Sequence, residues 1–132
     1  MLFAGLAALG CGRAGAGDVV EPPRHSARVD LRIGSVDDSA TMLTDFWKLV
    51  VGPGGHIYTL HRQESQIRVH DPEGRPVRTI GRAGEGPGEF RSPGNMGFHG
   101  DTLWVFDDDT YRFTWFHATG ALIESRAFPF DR

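Results

Sequence analysis

Ile57-Tyr58-Thr59-Leu60 returns in character 46 residues later as Leu103-Trp104-Val105-Phe106. The same shift carries Ile67-Arg68-Val69-His70 onto Phe113-Thr114-Trp115-Phe116, Gly74 onto Gly120 and Val77 onto Ile123, with no gap. Each quartet is rich in β-branched and aromatic residues and is flanked by turn formers, the pattern of a short strand. A strand-turn-strand unit recurring every roughly 20–50 residues marks an array, in which one unit cannot bury its own apolar faces and needs a neighbour.

Working outward from these quartets, the first unit reads as four strands. They are Trp47 to Val51, His56 to Leu60, Gln66 to His70 and Pro76 to Ile80. Gly52-Pro53-Gly54-Gly55, the polar stretch His61 to Ser65 and Asp71-Pro72-Glu73-Gly74 separate them. In the last of these, Pro72 suits the second turn position and Gly74 the left-handed one. The second unit places strands at about 95–98, 102–106, 112–116 and 121–127. Four strands in a unit of this length predict an all-β fold of antiparallel four-stranded propeller blades. Two blades are present, as units at about 46–80 and 92–127 within a partial propeller over 28–132. Upstream, Val29, Leu31 and Ile33 alternate with Arg28, Asp30 and Arg32, which predicts one more half-buried strand. No segment carries a capped helical periodicity.

Composition agrees with this reading. The 18 Gly and 8 Pro among 132 residues supply many turns, and 39% hydrophobic residues can form a core. The net charge of −3 argues against nucleic acid as a partner, since no basic surplus exists to displace counterions from phosphate. The single cysteine, Cys11, excludes an intrachain disulfide.

Leu2 to Gly10 is a run of apolar and small residues. As a helix it would span about 14 Å, too short for a hydrocarbon core of roughly 30 Å but the length of a secretory apolar region. Ala7-Ala8-Leu9-Gly10-Cys11 resembles a bacterial lipoprotein signal, which implies lipidation at Cys11, export and a cell-envelope location in the outer membrane or periplasm. No Lys or Arg precedes Cys11, so plain secretion or an incidental cysteine remain alternatives. Residues 1–11 thus read as a leader and 12–27 as a flexible tether rich in Gly, Ala and Pro.

Gly81-Arg82-Ala83-Gly84-Glu85-Gly86-Pro87-Gly88-Glu89-Phe90, taken with Ile57-Tyr58 and Leu103-Trp104-Val105-Phe106-Asp107, resembles the six-bladed β-propeller lipoproteins of bacteria, which are similar to NHL-repeat propellers. The resemblance covers residues 46–127. It implies a ring of six blades, which would need more than twice this chain's length, so the chain is expected to be part of a longer protein. A closed assembly of several copies is the other expectation.

Chemistry-bearing motifs are few. The glycine-rich loop meets Pro87 where a phosphate-binding loop needs Lys, and Glu89 and Arg91 where a dinucleotide fingerprint needs Gly. Its glycines read as backbone crossings and Phe90 as a plug between units. Asp107-Asp108-Asp109 offers oxygens to a hard cation such as Ca²⁺ but lacks the spacing of a calcium loop, and hairpin aspartates also cap their own turns. His25, His56, His61, His70, His99 and His117 show no ligand spacing. Trp47, Trp104, Trp115, Phe98, Phe106, Phe113 and Phe116 read as filling between sheets.

In an up-and-down sheet alternate loops lie at one end. The candidate ligand surface is therefore the end carrying Arg62, Glu64, Arg82, Glu85, Glu89, Asp107 and Asp109, with Asp108 and Arg91 beside them. The resulting expectation is an envelope binding or interaction module with no catalytic residue, cofactor or metal ligand. Its partner would be a protein, a peptide or a small ligand. The alternative is a propeller-class enzyme, lactonase-like or amidating-lyase-like, with its active-site residues outside this chain.

Overall fold

The computed structural model describes residues 21–35, 37, 42–43 and 45–128. The leader with Cys11 and residues 12–20 of the tether lie outside them. Eight strands follow one another: β1 (Phe46–Val51), β2 (Ile57–His61), β3 (Gln66–His70), β4 (Pro76–Ile80), β5 (Pro93–His99), β6 (Thr102–Asp107), β7 (Arg112–His117) and β8 (Leu122–Ala127). One 3-10 turn, Pro53–Gly55, joins β1 to β2. The strands form two four-stranded antiparallel sheets, β1-β2-β3-β4 and β5-β6-β7-β8.

The 46-residue period is a period of hydrogen-bond register. Tyr58 pairs with Val69 as Trp104 pairs with Trp115, and Ile67 with Ile80 as Phe113 with Arg126. Even the irregularities recur. A bulge separates Val69 from His70 and, at the equivalent place, Trp115 from Phe116. The first strands match with one residue more, since Phe46 corresponds to Pro93 and Leu49 to Met96, with a bulge next to Phe46 and Pro93 alike. A bulge re-aims a strand and fixes register, so its repetition shows the two sheets bending in the same way.

The core lies between the sheets. Tyr58, Leu60, Ile67, Val69 and Ile80 from the first sheet meet Met96, Leu103, Val105 and Phe116 from the second, with Phe90 wedged among them. Tyr58 packs edge-on against Phe98 with ring centroids 4.8 Å apart, and its hydroxyl donates to the Ala118 carbonyl at 2.9 Å. These are opposite faces of equivalent sheets: the first sheet offers the face of Tyr58 and Val69, the second the face of Leu103 and Phe116.

Three expectations are corrected here. Residues 28–33 form no strand, and Val29 is 69% exposed. Alternation reports one apolar side, not a partner to pair with, and this segment runs instead past the β3–β4 turn, where Leu31 and Ile33 lie close to Gly74. Trp104, Phe106, Phe113 and Trp115 do not fill the core. They stand half-buried on the outer face of the second sheet, because the strand alternation that turns Leu103 and Val105 inward turns them outward. Trp47 is likewise exposed.

The third correction concerns the resemblance to a six-bladed NHL-like propeller lipoprotein, which the fold does not carry. The described residues make two four-stranded sheets, and the motif behind the resemblance has a local explanation. Gly81 has φ +81°, and a Cβ there would collide with the Phe90 ring. The Glu89 carboxylate folds back to accept from the Gly86 amide at 2.8 Å and to pair with Arg82 at 2.7 Å. The loop thus closes on itself and seats Phe90, which any chain crossing between two stacked sheets needs.

Candidate functional site: the loop end between the sheets

The β2–β3, β4–β5 and β6–β7 connections converge at one end of the molecule. Asp107, the last residue of β6, is the hub. Its Oδ2 accepts from the backbone N–H of Arg91 (2.8 Å) and Ser92 (2.9 Å). Its Oδ1 accepts from the N–H of Asp109 (3.1 Å) and Thr110 (2.9 Å) and from the Thr110 hydroxyl (3.0 Å). Burial pushes this carboxyl up. The N–H groups of Thr110, Ser92 and Arg91 and the Thr110 hydroxyl outweigh burial and hold it below the ordinary carboxylate range. One carboxylate therefore ties the long β4–β5 loop to the β6–β7 turn.

Arg62 makes the second tie. Its guanidinium donates to the Ser92 hydroxyl at 3.0 and 2.7 Å, pairs with Asp108 at 3.1 Å and lies 5.3 Å from the centre of the Trp47 ring. Trp47 in turn donates its indole N–H to the Gly94 carbonyl at 2.9 Å. Lys48 donates to the Asn95 side-chain oxygen alongside. Partly exposed pairs of this kind are each worth about 0–1 kcal/mol, so they set the geometry of the joint more than they stabilise it.

The remaining candidate residues pair locally. Glu64 meets Arg68 at 2.7 Å and also accepts from Gln66, and Glu85 meets Arg91 at 2.9 Å. Burial raises the Glu64 carboxyl, and its bonds from Arg68 and Gln66 bring it below its usual range. Arg82 and Glu89 pair inside their own loop, as above. Asp109 reaches no described cation and borders a shallow depression of about 430 Å³, whose lining includes Ser65, Ala83, Glu85, Phe90 and Arg91. The structure thus groups Arg62, Asp107 and Asp108 with Ser92. It leaves Arg82 with Glu89, and Glu85 with Arg91, on the rim.

Sequence reasoning missed Trp47 and Ser92, which come from other elements than the residues they hold. The indicative signal for Trp47 was its repeat position, which is Gly94 in the second unit.

The oxygens of Asp107 accept from five donors, and Asp108 is paired with Arg62. Among the described residues no group of three or more His, Cys, Asp or Glu is placed to hold a metal.

A separate buried polar set lies on the first sheet's outer face, with His61 at the loop end of β2 and His70 at the far end of β3. His61 and His70 are wholly buried, and neither Nδ1 has a hydrogen-bond partner among the described residues. His61 bonds to the Thr59 hydroxyl at 3.0 Å. Arg68 on the same face donates to the Met42 carbonyl at 3.0 Å, so residues 42–43 lie across this part of the sheet. Burial first, then Arg68, lowers the His61 pKa; Glu64 and Asp45 oppose it. Burial also lowers that of His70.

No family model matches the sequence, and no curated protein does. Among solved structures, a protein of Bacteroides fragilis described as a "putative exported protein" is similar, with a TM-score of 0.64 and 18% sequence identity. The match covers 77% of this chain and 30% of that one. At this identity the likeness is one of fold. It is not described as a propeller, which completes the correction of the six-bladed NHL resemblance: this chain is similar in fold to part of a longer protein.

Proposed function

We propose that the protein is an exported, non-catalytic binding module of the cell envelope, built as a sheet repeat, with the loop end as its recognition surface. The observation that carries this reading is the convergence of three loops from both sheets on Asp107 and Arg62. Nucleophiles and bases are not what this end gathers. It gathers a carboxylate saturated by amides and a guanidinium held by a ring and a hydroxyl, which is how a rigid platform is made. Around it Glu85, Arg91 and Asp109 present mixed charge beside the exposed rim of the depression, suited to a peptide or a polar small ligand rather than to polyanions.

The leader-like run ending at Cys11 and the exported description of the solved neighbour support export. A photo-crosslinking amino acid at Ala83, in the depression, tests recognition in envelope preparations of a producing bacterium, with Asp101 at the other end as control. Adducts from Ala83 alone are expected; equal labelling from both positions, or none, overturns the reading. Lipid anchoring at Cys11 is tested separately. Cys11→Ser in a chain carrying its full leader should move the protein from the membrane to the soluble fraction.

A further inference from the structure

The internal joint between the two sheets is a template against which both outer faces can be compared. Val69 is 1% exposed at the joint, whereas its repeat equivalent Trp115 stands half-buried on the second sheet's outer face. Met96 is 0% exposed at the joint, whereas its equivalent Leu49 on β1 is 45% exposed, and Val51 beside it 63%. The backbone is the same at these positions; burial differs only because a sheet stands in front in one case and not in the other. In a stacked array an apolar sheet face calls for a partner, and both outer faces here are apolar. The second sheet ends in an aromatic plate, where Phe113 lies 4.8 Å from Phe106 and 5.7 Å from Trp115, ring centre to ring centre. The first ends in the apolar strip of β1.

We infer that the two open faces bind each other between copies: the aromatic plate of one chain docks on the β1 strip of a second, repeating the internal joint head to tail. Among the described residues, 42–43 lie over the β3 side of the first sheet at Arg68, and Leu49 and Val51 of β1 stay exposed. At the internal joint the sheets approach most closely through β1, β2 and β5, so β1 is the strip that such docking uses. A two-fold contact would set aromatic plate on aromatic plate and use the β1 strip not at all. Because a head-to-tail contact leaves one free face of each kind, it either closes into a symmetric oligomer or runs on.

The test is light scattering on the full chain from about 1 µM to about 1 mM, the span of weak to moderate affinities, with wild type, Val51→Arg and Trp115→Arg. The wild type should exceed its 14.5 kDa monomer mass as concentration rises. Each variant alone should stay monomeric. An equimolar mixture of the two should form a dimer, because one intact plate and one intact strip remain. Both substituted side chains reach solvent, and unchanged far-UV circular dichroism confirms that the variants fold. A folded wild type that stays monomeric throughout overturns the inference, as does a single variant that still associates or a mixture that does not.

Discussion

Gly81 and Asp107 are the residues on which the loop end most depends. Gly81 combines a left-handed backbone with the Phe90 ring lying where a Cβ would stand. Left-handed backbone costs other residues about 1–2 kcal/mol, and overpacking a core typically costs about 1–3 kcal/mol more. Gly81→Ala should therefore destabilise by at least about 2 kcal/mol, read as a lower denaturation midpoint with an unchanged slope. Asp107 is held below the ordinary carboxylate range by hydrogen bonds that burial only partly opposes. A carboxyl depressed in the folded state contributes stability that is complete above its unfolded value, about 3.9. That stability is lost as the pH falls through the lower folded value. Asp107→Asn should lower stability at neutral pH and flatten the acid limb below about pH 4, a comparison of two urea-unfolding series. Both residues stood out in the sequence, Gly81 within its motif and Asp107 at a strand end. What could not be read was that Asp107 reaches back to Arg91 and Ser92, since that contact depends on how the sheets stack.

Among elements, strands were the most legible. Their two-residue alternation and their bounding turns are local, and β3 and β4 begin and end where the pattern puts them. The 46-residue correspondence was legible too, because hydrogen-bond register leaves its trace in the spacing of turns. Which face each strand buries was not. Leu60 and Phe106 occupy the same place in the repeat, and only the presence of a second sheet in front of Leu60 separates core from surface. Residues 28–33 failed for a related reason: pairing is a property of two segments, and alternation describes one. The β4–β5 loop is the element on which the stacking turns, through the single side chain it inserts. Phe90 is 1% exposed and packs edge-on against Phe116 at 6.0 Å between ring centres. Phe90→Ala should cost about 3–5 kcal/mol, the usual loss for a buried aromatic side chain, and chemical denaturation measures it.

For the molecule as a whole, pH acts through the outer face of the first sheet. His61 and His70 are buried neutral, with pKa values lowered chiefly by burial and secondarily, for His61, by Arg68. A base depressed in the folded state binds more protons when unfolded. Its contribution is complete above the unfolded value of about 6.5 and is lost as the pH falls from there through the lowered folded value. Thermal stability should therefore decline as the pH falls below about 6.5. His61→Gln with His70→Gln should remove that decline, as a series of melting curves at stepped pH would read. Arg68 should sharpen the effect, since it shares the face with both rings and repels a new positive charge there.

The joint at Trp47, Lys48, Gly94 and Asn95 bears on how such a chain can be copied. A tandem duplication that left both units identical would oppose Lys to Lys and Trp to Trp across the seam, one pair repelling and the other too bulky to close. The present joint works because the two units have diverged there into a large donor half and a small acceptor half. A designer who averaged the two units into one consensus module would erase that difference. Lengthening this architecture calls for adding units in alternating pairs, so that its smallest heritable building block is the pair.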